Sequence, residues 1–95
     1  MPIELIRDRE RLAFSNHHWE ELLLLAKDCG WRPQDAPDEN WERVYFASNG
    51  DLISERDALA LAEALQRALW LLPESTRPHY LRFIEFCKRG AFRIE

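Results

Sequence analysis

The sequence predicts an α+β fold in which three helices pack on one face of a small, mainly antiparallel β-sheet. Two patterns carry that prediction. Three stretches with helical apolar spacing are each bounded by capping or stop residues, and short runs rich in aromatic and branched residues lie around them. Composition agrees, since 46% hydrophobic and 32% charged residues is a globular balance rather than a disordered one. The 95 residues form one domain, residues 1–95, and leave no room for a second core.

Residues 3–6 and 11–14 read as a hairpin around Arg7-Asp8-Arg9-Glu10. Ser15 then caps a first helix, with Phe14 and Trp19 placed as a hydrophobic staple and Cys29-Gly30 as its stop. Trp19, Leu22, Leu25, Ala26 and Cys29 share one face, His18 and Leu23 lie at its margins, and Leu24 and Asp28 fall outside. Pro33 and Pro37 make a loop of the segment from Gly30 to Trp41. Arg43-Val44-Tyr45-Phe46-Ala47 has the highest strand propensity in the chain. Ser48-Asn49-Gly50-Asp51 is a turn, after which Leu52-Ile53 has room to pair back briefly.

Ser54 caps a second helix, with Asp57 where a capping-box glutamate would stand. Its apolar face holds Ala58, Leu61, Ala62, Leu65, Ala68, Leu69 and Leu72, and Pro73 ends it. Leu59 and Trp70 fall on the outer side. Pro78 suits the first turn of a third helix, which runs to Lys88-Arg89-Gly90 with Tyr80, Phe83, Ile84 and Cys87 inward. Residues 91–94 close the chain as a strand. The strands expected are therefore 3–6, 11–14, 43–47 and 91–94, in an order the pattern leaves open.

Three segments carry a resemblance. They are Phe14-Ser15-Asn16 before a helix ending Gly30-Trp31, then Ser54 with Asp57-Ala58-Leu59-Ala60-Leu61-Ala62, and Phe83-Ile84-Glu85-Phe86-Cys87-Lys88-Arg89-Gly90-Ala91-Phe92-Arg93-Ile94. Together with Ser48-Asn49-Gly50 this set resembles a group of small, uncharacterised bacterial proteins across most of the chain. The resemblance implies a small α+β fold and carries over no catalytic residue. Where the group often has Gly-Gly-Phe, this chain has Gly90-Ala91-Phe92.

No catalytic, metal or cofactor site is expected. Adjacent His17 and His18 point about 100° apart on a helix and cannot chelate from one face. His17 and Glu21 supply two ligands where zinc sites want three or four. Cys29 and Cys87 lie late in their helices, where the dipole opposes a thiolate. Ser48-Asn49-Gly50-Asp51 lacks the glycines and lysine of a phosphate loop.

The net charge of −4 is unevenly spread. Residues 17–51 hold eight acids and three bases, and residues 77–95 hold five bases and two acids. The overall acidity disfavours nucleic acid as a partner. No apolar run nears the roughly 20 residues of a membrane span, the start of the chain lacks signal architecture, and both cysteines read as free thiols, so a cytoplasmic location is expected.

The leading expectation is a non-catalytic acidic bacterial protein that binds a protein partner, regulatory, inhibitory or immunity-like. Its candidate surface is the acidic loop with its flanks: Leu24, Asp28, Trp31, Asp35, Asp38, Glu39 and Trp41. Two tryptophans that merely tether a solvated loop would explain the same residues. The alternative is an enzyme or small-ligand protein, favoured by a concave pocket holding His18 or His79 with a carboxylate in reach. Homodimerisation through Leu59 and Trp70 is a further possibility.

Overall fold

The computed structural model describes residues 3–36, 39–47 and 50–95. Nine elements follow in order: β1 (Ile3–Arg7), β2 (Glu10–Phe14), α1 (Asn16–Asp28), α2 (Trp41–Phe46), β3 (Asp51–Ile53), α3 (Glu55–Ala68), a 3-10 turn (Leu69–Leu71), α4 (Arg77–Lys88) and β4 (Phe92–Ile94). One four-stranded sheet is ordered β2-β1-β4-β3, and every pairing is antiparallel. The α+β architecture thus has four α-helices where the sequence predicts three.

Sheet register follows from alternation. Ile3 and Leu5 of β1 oppose Phe14 and Leu12 of β2, Leu5 also opposes Ile94, and Ile53 opposes Phe92. Ile3, Leu5, Ile53, Phe92 and Ile94 are all buried, so one face of the sheet meets the helices. The β1–β2 turn manages without glycine because Asp8 takes a positive φ of 51°, a conformation a short acidic side chain tolerates. At the end of β1, the Arg7 guanidinium donates to the carbonyls of Phe86 and Gly90 and lies 4.1 Å from the centre of the Phe86 ring. A cation at the C-terminal end of α4 complements the helix dipole and ties sheet to helix.

Of the predicted strand at 43–47, residues 43–46 belong instead to α2 and Ala47 follows its end, and the third strand is β3. In a strand, residues four apart stand roughly 13 Å from each other, against about 6 Å in a helix. The rings of Trp41 and Tyr45 are 6.3 Å apart, which only the helix permits. Trp41 then meets Trp31 edge-on at 5.1 Å, and Trp19 Nε1 donates to the Tyr45 carbonyl at 2.7 Å. Packing overrode the strand propensity of Val44-Tyr45-Phe46. The Ser48-Asn49 part of the predicted turn lies outside the described residues.

The predicted caps are present. Ser15 accepts from the His18 amide and Ser54 from the Asp57 amide. At the end of α1, Gly30 adopts a φ of 92°, Gly30 N–H donates to Lys27 O, and Trp31 N–H donates to Ala26 O. That is a Schellman stop, which needs a left-handed residue and turns the next side chain back onto the helix. Trp31 therefore folds inward. Phe83 sits among Phe14, Trp19 and Phe92 with edge-on rings 5.7–6.1 Å apart, joining α4, α1, β2 and β4 in one core.

Tyr45 is fully buried, and its hydroxyl has no hydrogen-bond partner among the described residues. Burial first, then the charges of Asp57, Asp51 and Asp35, push its pKa from 10.0 up to about 12. The folded state favours the neutral phenol, so this contribution is complete below pH 10 and is lost as pH rises from 10 towards 12. Tyr45→Phe is expected to raise stability by about 1 kcal/mol, because an unmatched buried hydroxyl costs that much or more. Urea unfolding at neutral and alkaline pH checks both points: the variant should be more stable at pH 7 and should lose less on alkalinisation.

Candidate functional site

The acidic loop is stitched to the start of α3. Asp57 is 1% exposed, and its two carboxylate oxygens accept from the amides of Gln34 at 2.7 Å and Asp35 at 2.9 Å. Trp31 Nε1 donates to the Asp57 carbonyl at 3.1 Å. Asp35 in turn accepts from the Ser54 hydroxyl at 2.6 Å and pairs with the Arg56 guanidinium. The short Ser54–Asp57 segment thus caps its own helix and clamps a loop 19 to 23 positions away in sequence.

Placed on this frame, the predicted site residues divide. Trp31 and Trp41 are buried against each other and present no aromatic anchor to solvent. Asp35 is engaged by Ser54 and Arg56, Glu39 is exposed, and Asp38 lies outside the described residues. Leu24 and Asp28 are exposed on the outer side of α1, on the face opposite its buried Trp19 and Ala26. What the loop presents outward is polar.

The Ser54 hydrogen bond, then that from Arg56, hold the Asp35 carboxyl below its ordinary 3.8. A depressed carboxyl pKa contributes stability that is complete above the ordinary value and vanishes as pH falls through the lower, folded one. Acid unfolding should therefore show a component below pH 3.8 that Asp35→Asn removes. The pair is exposed, and the effect should be small. A pH titration of the unfolding midpoint for both proteins tests it.

Two other surfaces stand out. The first runs along the outside of α3 into the 3-10 turn. Glu55, Leu59, Glu63 and Trp70 share one helical stripe, with Trp70 71%, Leu71 61% and Leu59 47% exposed. Among the described residues Glu55 and Glu63 have no ion pair, and neither has Glu74 beyond the turn. The cations nearby are tied down: Arg56 by Asp35, Arg67 by the Cys29 carbonyl, and Arg77 by the carbonyls of Leu72 and Trp70.

The second is a cleft of about 580 Å³ between β2, the start of α1 and the start of α4. Leu12, Phe14, Leu22 and Tyr80 supply apolar walls, and His18, Glu21, His79 and Arg82 supply polar ones. Burial, then the Glu21 charge, raises the Tyr80 pKa. Glu21 pairs with His17 at 2.9 Å. No three His, Cys, Asp or Glu side chains group for a metal ion among the described residues. Cys87 is buried and its thiol is pushed far up by burial, so it is no ready nucleophile.

Leu59 and Trp70 stand outward, where their helical phase puts them, and the cleft is lined by His18, His79 and the Glu21 carboxylate, the kind of concave pocket that favours the small-ligand alternative. His18 and His79 are 61 positions apart, and no spacing rule joins them. No helix of the described residues is long and apolar enough to cross a membrane. No family model, curated protein or solved structure matches the chain.

Proposed function

We propose that this is a non-catalytic acidic protein that binds a basic protein partner through the outer stripe of α3 and the turn that follows. The observation that carries the reading is Trp70. Three of the four tryptophans are buried, whereas Trp70 stands 71% exposed beside Leu71 and in line with Leu59. Tryptophan is the residue type most enriched among those that dominate protein interfaces, and Trp70 with Leu71 makes an exposed apolar spot at the end of a stripe that also carries Glu55 and Glu63.

The rim supplies the sign of the partner. Glu55, Glu63 and Glu74 are unpaired among the described residues, Arg56 is matched by Asp35, and Arg67 and Arg77, which keep their charge, are held in place by backbone carbonyls. A basic partner gains association rate and orientation from that field. A second copy would bring the same unpaired acids to face each other, so a different protein suits the stripe better than a homodimer. A regulatory or inhibitory role in the bacterial cytoplasm fits this, an immunity protein covering a basic toxin being one concrete form.

Photo-crosslinking in the source cells tests the reading. A photoreactive residue in place of Glu63 should yield an adduct with a basic protein, and one in place of Glu20, exposed on α1, should not. Adducts from position 20 alone, or only a self-adduct from position 63, would sink the proposal.

A further inference from the structure

We infer that the cleft between β2, α1 and α4 is a binding site for a small organic anion with an apolar body, such as an aliphatic carboxylate. The inference is independent of the α3 stripe, which lies on other residues. The volume of about 580 Å³ falls within the range of small-molecule pockets, roughly 300–1,000 Å³. Leu12, Phe14 and Leu22 offer the tail an apolar floor.

Charge decides the head group. Arg82 lines the cleft, is exposed, and has no ion pair or hydrogen bond among the described residues. His18 and His79 stand at the same opening from α1 and α4. The carboxylate lining the same cleft, Glu21, lies 2.9 Å from His17 Nε2. A chain with a net charge of −4 thus sets a guanidinium without an internal partner among the described residues and two imidazoles against one carboxylate around an apolar hollow. Guanidinium binds a carboxylate through two parallel N–H donors, which fixes the head while the tail is buried.

Decanoate is the probe, with decanol as a neutral molecule of the same tail. Followed by NMR on the whole chain, decanoate should shift resonances of Leu12, His18, His79 and Arg82 along a saturating curve within roughly 1 mM. Decanol should bind about tenfold more weakly, as the loss of one charge-assisted contact requires. Arg82→Gln, which removes no internal contact, should weaken decanoate by a similar factor and leave the spectrum of the free protein folded. No saturating shift in the cleft, equal binding of decanol, or unchanged affinity in the Arg82→Gln protein would each overturn the inference.

Discussion

Trp31→Ala is expected to destabilise the protein by about 4 kcal/mol, the ordinary cost of emptying a large aromatic site in a core. Three losses combine. The indole is 4% exposed, its N–H leaves the Asp57 carbonyl, and its edge-on contact with Trp41 disappears. Against a total margin of roughly 5–15 kcal/mol, such a change takes a large share of the stability. Trp31→Phe keeps most of the ring and loses the hydrogen bond, so it should cost about half as much. Urea unfolding of the three proteins measures this directly. A midpoint close to the native one for Trp31→Ala would mean that the indole is a surface group after all.

Asp57→Ala is expected to cost about 3 kcal/mol, because two amides lose a charged acceptor at once. Those amides belong to Gln34 and Asp35, and the carboxylate that joins them is almost completely buried. Asp57→Asn keeps the shape and one accepting oxygen, so it should recover part of the loss. Alanine has the better helix propensity, and a destabilised alanine variant therefore isolates the clamp from any intrinsic effect on α3. Hydrogen exchange adds a local readout, with the amides of Gln34 and Asp35 exchanging faster while those in α4 follow the global stability. Unchanged protection at 34 and 35 would contradict the clamp.

What could be read from the chain was local. Ser15, Gly30 and Ser54 announce helix ends through rules that span a few residues, and all three act in those roles. The apolar faces of α1, α3 and α4 follow from spacing in the same way. Leu23, set at the margin of α1, is nevertheless fully buried, since the helix is packed more widely than one stripe. The segment Trp41–Phe46 departs from the strand its composition favours because its partners, Trp31 and Trp19, come from elsewhere in the chain. Asp57 was legible as a capping-type residue and not as a loop clamp, for its acceptor role depends on amides 22 and 23 positions away.

The same division holds for function. The acidic loop drew notice through its two flanking tryptophans, and the Schellman turn at Gly30 directs one of them inward. Exposure of Trp70 was foreseen from its helical phase, but its prominence only emerges once the other three tryptophans are known to be buried. The cleft is assembled from β2, α1 and α4, and no single window of sequence contains it.

The decisive measurement is the affinity of the partner recovered by crosslinking for the native chain and for Trp70→Ala, alongside thermal unfolding of both. A largely solvated side chain contributes little to the fold, so the stability should stay within about 0.5 kcal/mol of native. The dissociation constant should rise about 30-fold or more, the loss typical of a central interface tryptophan. An unchanged dissociation constant in a folded Trp70→Ala protein would contradict the assignment of the α3 stripe as the docking surface.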